Sequence, residues 1–221
     1  MRRFFVLAIL PLLLCPCTSR AEAGSSGHSA KGAAVVREMN LARQHPEVYA
    51  GYLEKLRENF HGNLFVLPGG TRLRTREGVR AVDEAIRFLR RARQLSPLAC
   101  STGMSLAAAE HAADQASGAF GHAGSDRSNP AERMNRYGTW SGYWSENISY
   151  GKASARDIVI ALIVDDGLRT RKHRNNIFNP AFNFAGAAIG PHARYRTVCS
   201  IDFAAGYAES GGDARSLFAR N

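Results

Sequence analysis

An α+β fold follows from three features of this 221-residue sequence. Apolar residues recur at helical spacing through most of the stretch from residue 33 to 117. Short strand-like runs gather in the last third of the chain. Glycine, proline and asparagine separate these segments at turn positions. Hydrophobic residues make up 45% and charged residues 22%, an ordinary globular composition that builds a core without metal or disulfide support. It excludes a disordered chain, a fibrous repeat and a disulfide-dense miniprotein.

Residues 1–23 read as a secretory signal peptide. Arg2 and Arg3 form a charged start, Phe4 to Leu14 is an apolar run, and Ala21-Glu22-Ala23 is an A-x-A cleavage site. The implied location is periplasmic or extracellular. After this leader, no apolar run is long enough to span a bilayer, so the mature chain is expected to have no transmembrane segment. Residues 24–32, rich in Gly, Ser and Ala, read as a flexible leader. Val35, Val36, Met39 and Ala42 then define a helix over about 33–43. Pro46 opens a second helix reaching about Asn59, with Val48, Tyr49, Tyr52, Leu53 and Leu56 on its apolar face.

Residues 61–78, with Gly69-Gly70, are expected to be a loop. Glu77 to Arg93 is a helix with an inner stripe of Val79, Val82, Ile86 and Leu89. After Ser96-Pro97, an alanine-rich helix covers about 102–117. Asn129-Pro130-Ala131-Glu132 is a capping signal for a short helix to about Tyr137. An aromatic loop over 138–143 leads into a strand over 146–151. Ser154 and Asp157 open a helix to about Asp165. Residues 171–180 read as irregular or a short turn. Two strands follow, over 185–189 and 196–204, around Gly190-Pro191. Residues 33–97 thus form an N-terminal helical extension packed on a core over 98–206, and 207–221 form a C-terminal tail.

The net charge is +10, and 25 of the 29 basic residues are arginine. This balance serves solubility, or attracts anionic lipid or an anionic cell-surface polymer. No nucleic-acid motif stands out, so no nucleic-acid partner is expected. Cys15 and Cys17 leave with the signal peptide. Cys100 and Cys199 remain, as a disulfide or as two separate thiols.

Side chains suited to chemistry gather in three loops: Gly121-His122, Ser145-Glu146-Asn147, and Asp165-Asp166 followed by His173-Arg174-Asn175-Asn176. Two histidines with carboxylates can hold a divalent metal or carry out acid–base chemistry. Their order and wording, continued by Ile177-Phe178-Asn179-Pro180 and Ala185-Gly186-Ala187, resemble the CAP superfamily of cysteine-rich secretory, antigen 5 and pathogenesis-related proteins, and especially its bacterial secreted branch. Met39-Asn40-Leu41-Ala42-Arg43 with Pro46 is similar to that branch's leading helix. The resemblance covers about Leu98 to Gly206.

The resemblance implies an α-β-α sandwich, with a small antiparallel sheet between helices, and a cleft tetrad of two histidines and two acids. His122 and His173 match the histidines and Glu146 the first acid. Asp165 or Asp166 stands where the family often has glutamate. Ser145 and Lys172 stand where it usually has glycine. A zinc ion (Zn2+) held by His122 and His173, with Glu146, Asp165 or water completing the shell, suits these donors. A small-molecule or lipid ligand is the other class implied, with Trp140, Tyr143, Trp144 and Tyr150 available to line a groove. Two further readings stand beside this cleft. One is a hydrolase, peptidase or esterase, with candidate catalytic residues His122, Glu146, Asp165 and His173 and a water activated by metal or Glu146. The other is an arginine-rich module for anionic lipid or cell-surface polymer.

Overall fold

A computed structural model describes residues 20–67 and 69–210. The proposed cleavage site's hydrophobic leader over 1–19, and the tail over 211–221, lie outside the described residues. Helix α1 spans Arg20–Gln44 and α2 spans Pro46–Arg57, with Pro46 at the helix start. The helix thus takes in residues 24–32, which the sequence suggested as a loose leader. Gly32 explains its approach to the core: a Cβ there would lie 1.8 Å from the Ala187 carbonyl oxygen.

Residues 60–74 are not simply a loop. They form a small antiparallel sheet of β1 (Phe60–His61), β2 (Leu64–Val66) and β3 (Arg72–Arg74). The Phe60 and Phe65 rings pack 4.8 Å apart across β1 and β2, a cross-strand pairing that glycine content does not reveal. Helix α3 spans Val79–Arg91 and buries Val82, Ile86 and Leu89 of the expected stripe, with Val79 half-buried. After β4 (Ala99–Cys100), α4 covers Thr102–Asp114 and ends in a 3-10 turn to Ser117. Helix α5, Pro130–Asn135, begins with the full capping box: Glu132 N donates to Asn129 Oδ1 (3.0 Å) and Asn129 N donates to Glu132 Oε2 (2.8 Å).

Strand β5 spans Gly138–Tyr150 and absorbs the stretch expected to be an aromatic loop. Its pairing with β7 shifts between Ser141 and Trp144, where Gly142 has φ +75°. The glycine thus marks a bulge inside a strand. Helix α6 is Ala155–Val164, and α7 is Lys172–Ile177 where an irregular segment was expected. Strands β6 (Phe184–His192) and β7 (Arg196–Glu209) form a hairpin longer at both ends than its sequence signal. Tyr207–Glu209 therefore belong to the strand, not to a tail: Tyr207 is buried and donates its hydroxyl to the Met134 carbonyl (3.0 Å).

The main sheet has the order β4-β6-β7-β5. It is mixed, because β4 runs parallel to β6 while the other pairs are antiparallel. Alternation along β7 divides the core in two. Cys199, Ile201 and Phe203 join the cluster built by α1, α2, α3 and α6. Val198 and Ala204 face Ala112, Met104 and Met134 of α4 and α5. The result is an α+β sandwich with helices on both faces of the sheet. Cys100 and Cys199 are free thiols. They lie opposite Ala185 and Ile189 of β6. Four residues of strand, about 13 Å, separate those positions, well beyond disulfide reach.

Candidate functional site

Strand β5 is an edge of the main sheet, and the candidate side chains meet it from both faces. Glu146 points to the α4 side and is buried. Its Oε1 lies 2.7 Å from Nδ1 of His122. Its Oε2 accepts from Arg133 Nη2 (3.1 Å) and from the Ser200 hydroxyl (2.8 Å), and lies 3.8 Å from His111 Nε2. The carboxylate is thus fully engaged inside the protein, while the His122 side chain is 51% exposed.

The loop carrying His122 is held by its backbone. Arg133 donates through Nη1 and Nη2 to the His122 carbonyl (both 3.1 Å) and through Nη1 to the Ser128 carbonyl (2.8 Å). One buried guanidinium therefore positions both members of the His122–Glu146 pair. The Gly121 carbonyl accepts from Gln115 Nε2 (2.7 Å), and its N–H donates to the Tyr150 hydroxyl (3.2 Å). Gly121 has φ +95°, a conformation that favours glycine.

The second pair forms where α6 gives way to α7. Asp165 adopts the left-handed conformation (φ 54°, ψ 45°) at the end of α6. This turns its carboxylate onto α7, where Oδ2 accepts from His173 N (3.0 Å) and Oδ1 lies 2.7 Å from His173 Nδ1. Asp166 points elsewhere: its oxygens accept from the backbone N–H groups of Arg76 and Glu77, both at 2.7 Å. Asp165, not Asp166, therefore meets the histidine. Asn147, one residue beyond Glu146 and on the opposite face of β5, donates to the His173 carbonyl (3.0 Å) and accepts from Asn176 (2.7 Å). It ties the strand of one pair to the helix of the other.

Both pairs share a pattern. A carboxylate oxygen accepts, so Nδ1 carries a hydrogen, and in the neutral imidazole Nε2 is the nitrogen with the lone pair. Each acid is buried and each histidine reaches outward. Among the described residues, no three His, Cys, Asp or Glu side chains gather into a group able to hold a metal ion.

Behind Glu146 lies a polar layer that motif reading did not identify. Asp202 stands opposite Glu146 on β7, is fully buried, and has no hydrogen-bond partner for either carboxylate oxygen. Burial and the nearby Glu146 charge raise its pKa well above the usual carboxylate value, with Arg133 opposing. Burial likewise lowers the pKa of His111, whose Nε2 meets Gln115 and the Gly121 carbonyl. The i, i+4 spacing of His111 and Gln115 was the available signal. Asp202 carried none, since its strand otherwise reads as apolar. Of the four aromatics expected near the cleft, Tyr143 and Trp144 are exposed and the other two pack in different places. Trp140 packs with Met104 and Tyr207, and Tyr150 packs with Ala112 and Val198.

The sequence model of the cysteine-rich secretory protein family, CAP, matches residues 79–203, more than half of the chain. Three solved structures are similar. An outer surface protein from Borrelia burgdorferi shares 17% identity, over 50% of this chain and 78% of that one, with a TM-score of 0.41. An extracellular protein containing an SCP domain from Bacillus anthracis shares 18%, over 57% of this chain and 39% of that one, with a TM-score of 0.40. A cysteine-rich secretory protein from Staphylococcus aureus shares 14%, over 58% and 38%, with a TM-score of 0.38. The chain thus spans less than two fifths of the length of the last two. No curated protein matches it.

Proposed function

Since the chain belongs to the CAP family of cysteine-rich secretory proteins, we propose that it is an exported binding protein whose His122 and His173 capture a divalent cation or a small ligand at the edge of β5. The observation that carries this reading is the paired arrangement. Each imidazole is fixed through Nδ1 by a buried carboxylate, at 2.7 Å in both pairs, and each histidine side chain remains partly exposed.

The donor chemistry suits zinc, because a metal-ligating histidine typically uses its other ring nitrogen in just such a carboxylate contact. Glu146 and Asp165 then orient the histidines instead of ligating. With two imidazoles as the protein's donors, water or a ligand oxygen completes the shell. The site is weaker and more exchangeable than a four-ligand structural zinc site. A bound ion would supply Lewis acidity to a ligand oxygen. The chain's own contribution is to hold both imidazoles in one tautomer. Export rests on the leader read over residues 1–23. No described helix is long and apolar enough to cross a membrane.

Calorimetric titration of Zn2+ near neutral pH, beside His122→Ala and His173→Ala, tests this reading. One-to-one binding that weakens in both variants is expected. Binding unchanged in both, or absent from the unmodified protein, rejects the metal reading and leaves the small ligand.

A further inference from the structure

Strand β4 pairs with β6 only at Phe184 and Ala185, so β6 continues past it with a free edge among the described residues. A groove of about 460 Å³ runs between that edge and α4. Its walls include Leu106, Ala109 and Ala113 of α4 and Ala187, Ile189 and Pro191 of β6, and Thr102 marks the end nearest the start of α4. It shares no lining residue with either histidine–acid pair. Leu106 is 47% exposed. Among the described residues no charged side chain lines the groove, so an ion or a charged headgroup finds no partner in it. An added strand does not fit either: Pro191 brings no N–H to the edge, and Gly32 of α1 sits against the Ala187 carbonyl oxygen.

The chain itself delivers an apolar segment to this groove. Glu209 accepts from the N–H groups of Thr102 (2.9 Å) and Gly103 (2.8 Å), and Ser210 N donates to the Tyr137 carbonyl (2.9 Å). The polypeptide therefore leaves β7 at the N-terminal end of α4, where the groove begins. Residues 211–220 follow as Gly-Gly-Asp-Ala-Arg-Ser-Leu-Phe-Ala-Arg. The glycine pair suits a sharp turn. Asp213 is a favoured N-cap residue, and Ala214, Leu217 and Phe218 have the i, i+3, i+4 spacing of one helical face. Residues 211–213 span at most about 10 Å, and seven helical residues cover about 10 Å more. Both fit within the roughly 21 Å that α4 and its 3-10 turn provide from Thr102 to Ala116.

We propose that residues 214–220 form a short amphipathic helix that seats Leu217 and Phe218 in the groove between α4 and β6, strapping the end of the chain across the open edge of the sheet. A helix this short needs a partner surface in order to form. The groove supplies an apolar one within reach of a three-residue tether, at an effective concentration on the order of millimolar. That tether is what favours this segment over a free apolar ligand or a second copy of the chain.

Hydrogen exchange read by mass spectrometry on the intact protein tests the proposal, with a synthetic peptide of residues 211–220 as the reference. Amides of residues 214–220 are expected to exchange at least about tenfold more slowly than in the peptide. Leu217→Ser combined with Phe218→Ser removes the two anchors, and Ala109→Lys or Ala113→Lys puts a cation in the groove. Each change should return the segment to the peptide's rate. Ala113 is exposed, so Ala113→Lys leaves the fold intact and guards against misfolding in the other variants. Ser216→Gln, on the opposite face of the segment, should keep the protection. The double serine variant should also raise the fluorescence of anilinonaphthalene sulfonate several-fold, as the emptied groove takes up the dye. Exchange at the peptide's rate in the unmodified protein would overturn the proposal. So would protection that survives both lysine variants, or protection that falls on tenfold dilution, which would assign the groove to a second copy.

Discussion

Arg133 and Asp165 show how single residues make the candidate site from unremarkable parts. Arg133 is fully buried and holds the backbone of His122 and the carboxylate of Glu146 together. Asp165 reaches His173 only because its backbone turns left-handed, a conformation that aspartate tolerates better than most residues. Asp165→Asn keeps the shape but replaces an accepting carboxylate oxygen pair with an amide. It should lower the affinity of the cleft for Zn2+ by about 10- to 100-fold, the usual cost of losing a supporting carboxylate. Asp166→Asn should leave that affinity alone and lower stability by about 1 kcal/mol, since it caps Arg76 and Glu77. Equal calorimetric effects of the two variants would contradict the division of roles. The motif wording made His122, Glu146 and His173 legible in the sequence. The choice between two adjacent aspartates depended on one φ angle, which residue types alone do not fix. Arg133 and Asp202 act through tertiary contacts and were not legible.

At the scale of elements, α7 is only six residues long and gains its support from outside. Arg174 is buried and pairs with Glu84 through Nη1 and Nη2, both at 2.7 Å. Arg171 reaches Glu84 at 2.9 Å and Glu77 at 2.7 and 2.8 Å. Helix α3 thus fixes the helix that carries His173. Glu84→Gln weakens three charge-assisted contacts at once, and urea unfolding should show a loss of about 2 kcal/mol. An unchanged midpoint would show that the backbone carbonyls of Ile163 and Val164 hold Arg174 well enough alone. The far end of β7 plays a similar part. Glu209 accepts from the Ser101 hydroxyl (2.7 Å) and from the N–H groups of Thr102 (2.9 Å) and Gly103 (2.8 Å), capping α4. Glu209→Ala should cost about 1 to 2 kcal/mol, measured the same way. The helices with caps and apolar stripes were legible because their signals are local. The length of β5 and β7 was not, because strand extent is set by what lies opposite.

Across the whole molecule, the sheet separates two differently built interiors. On the α1 side, Arg43 is a buried cation with carbonyl partners only: Ser96, Ile177, Asn179 and Phe182. Burial lowers its pKa to about 10, and the C-terminal end of α7 supplies compensating negative potential. On the α4 side, Arg133 faces two buried carboxyl groups, Glu146 and Asp202. One guanidinium balances one carboxylate, so charge neutrality there requires a proton on Asp202. This proton links stability to pH. The native pKa of Asp202 is raised above its unfolded value near 3.8. Between those two values the folded protein holds a proton that the unfolded chain has released. Stability from this group is therefore complete below about pH 3.8 and declines as pH rises, by about 1.4 kcal/mol per pH unit, until the native pKa is passed. His111 acts in the opposite sense: burial lowers its native pKa, so its contribution falls as pH drops below about 6.5. Asp202→Asn removes the first effect and leaves the second. Urea unfolding of both proteins from pH 4 to 8 should give free energies that diverge with rising pH in favour of the variant. Parallel curves would mean that Asp202 is ionised in the native state and that the layer behind Glu146 carries a net negative charge.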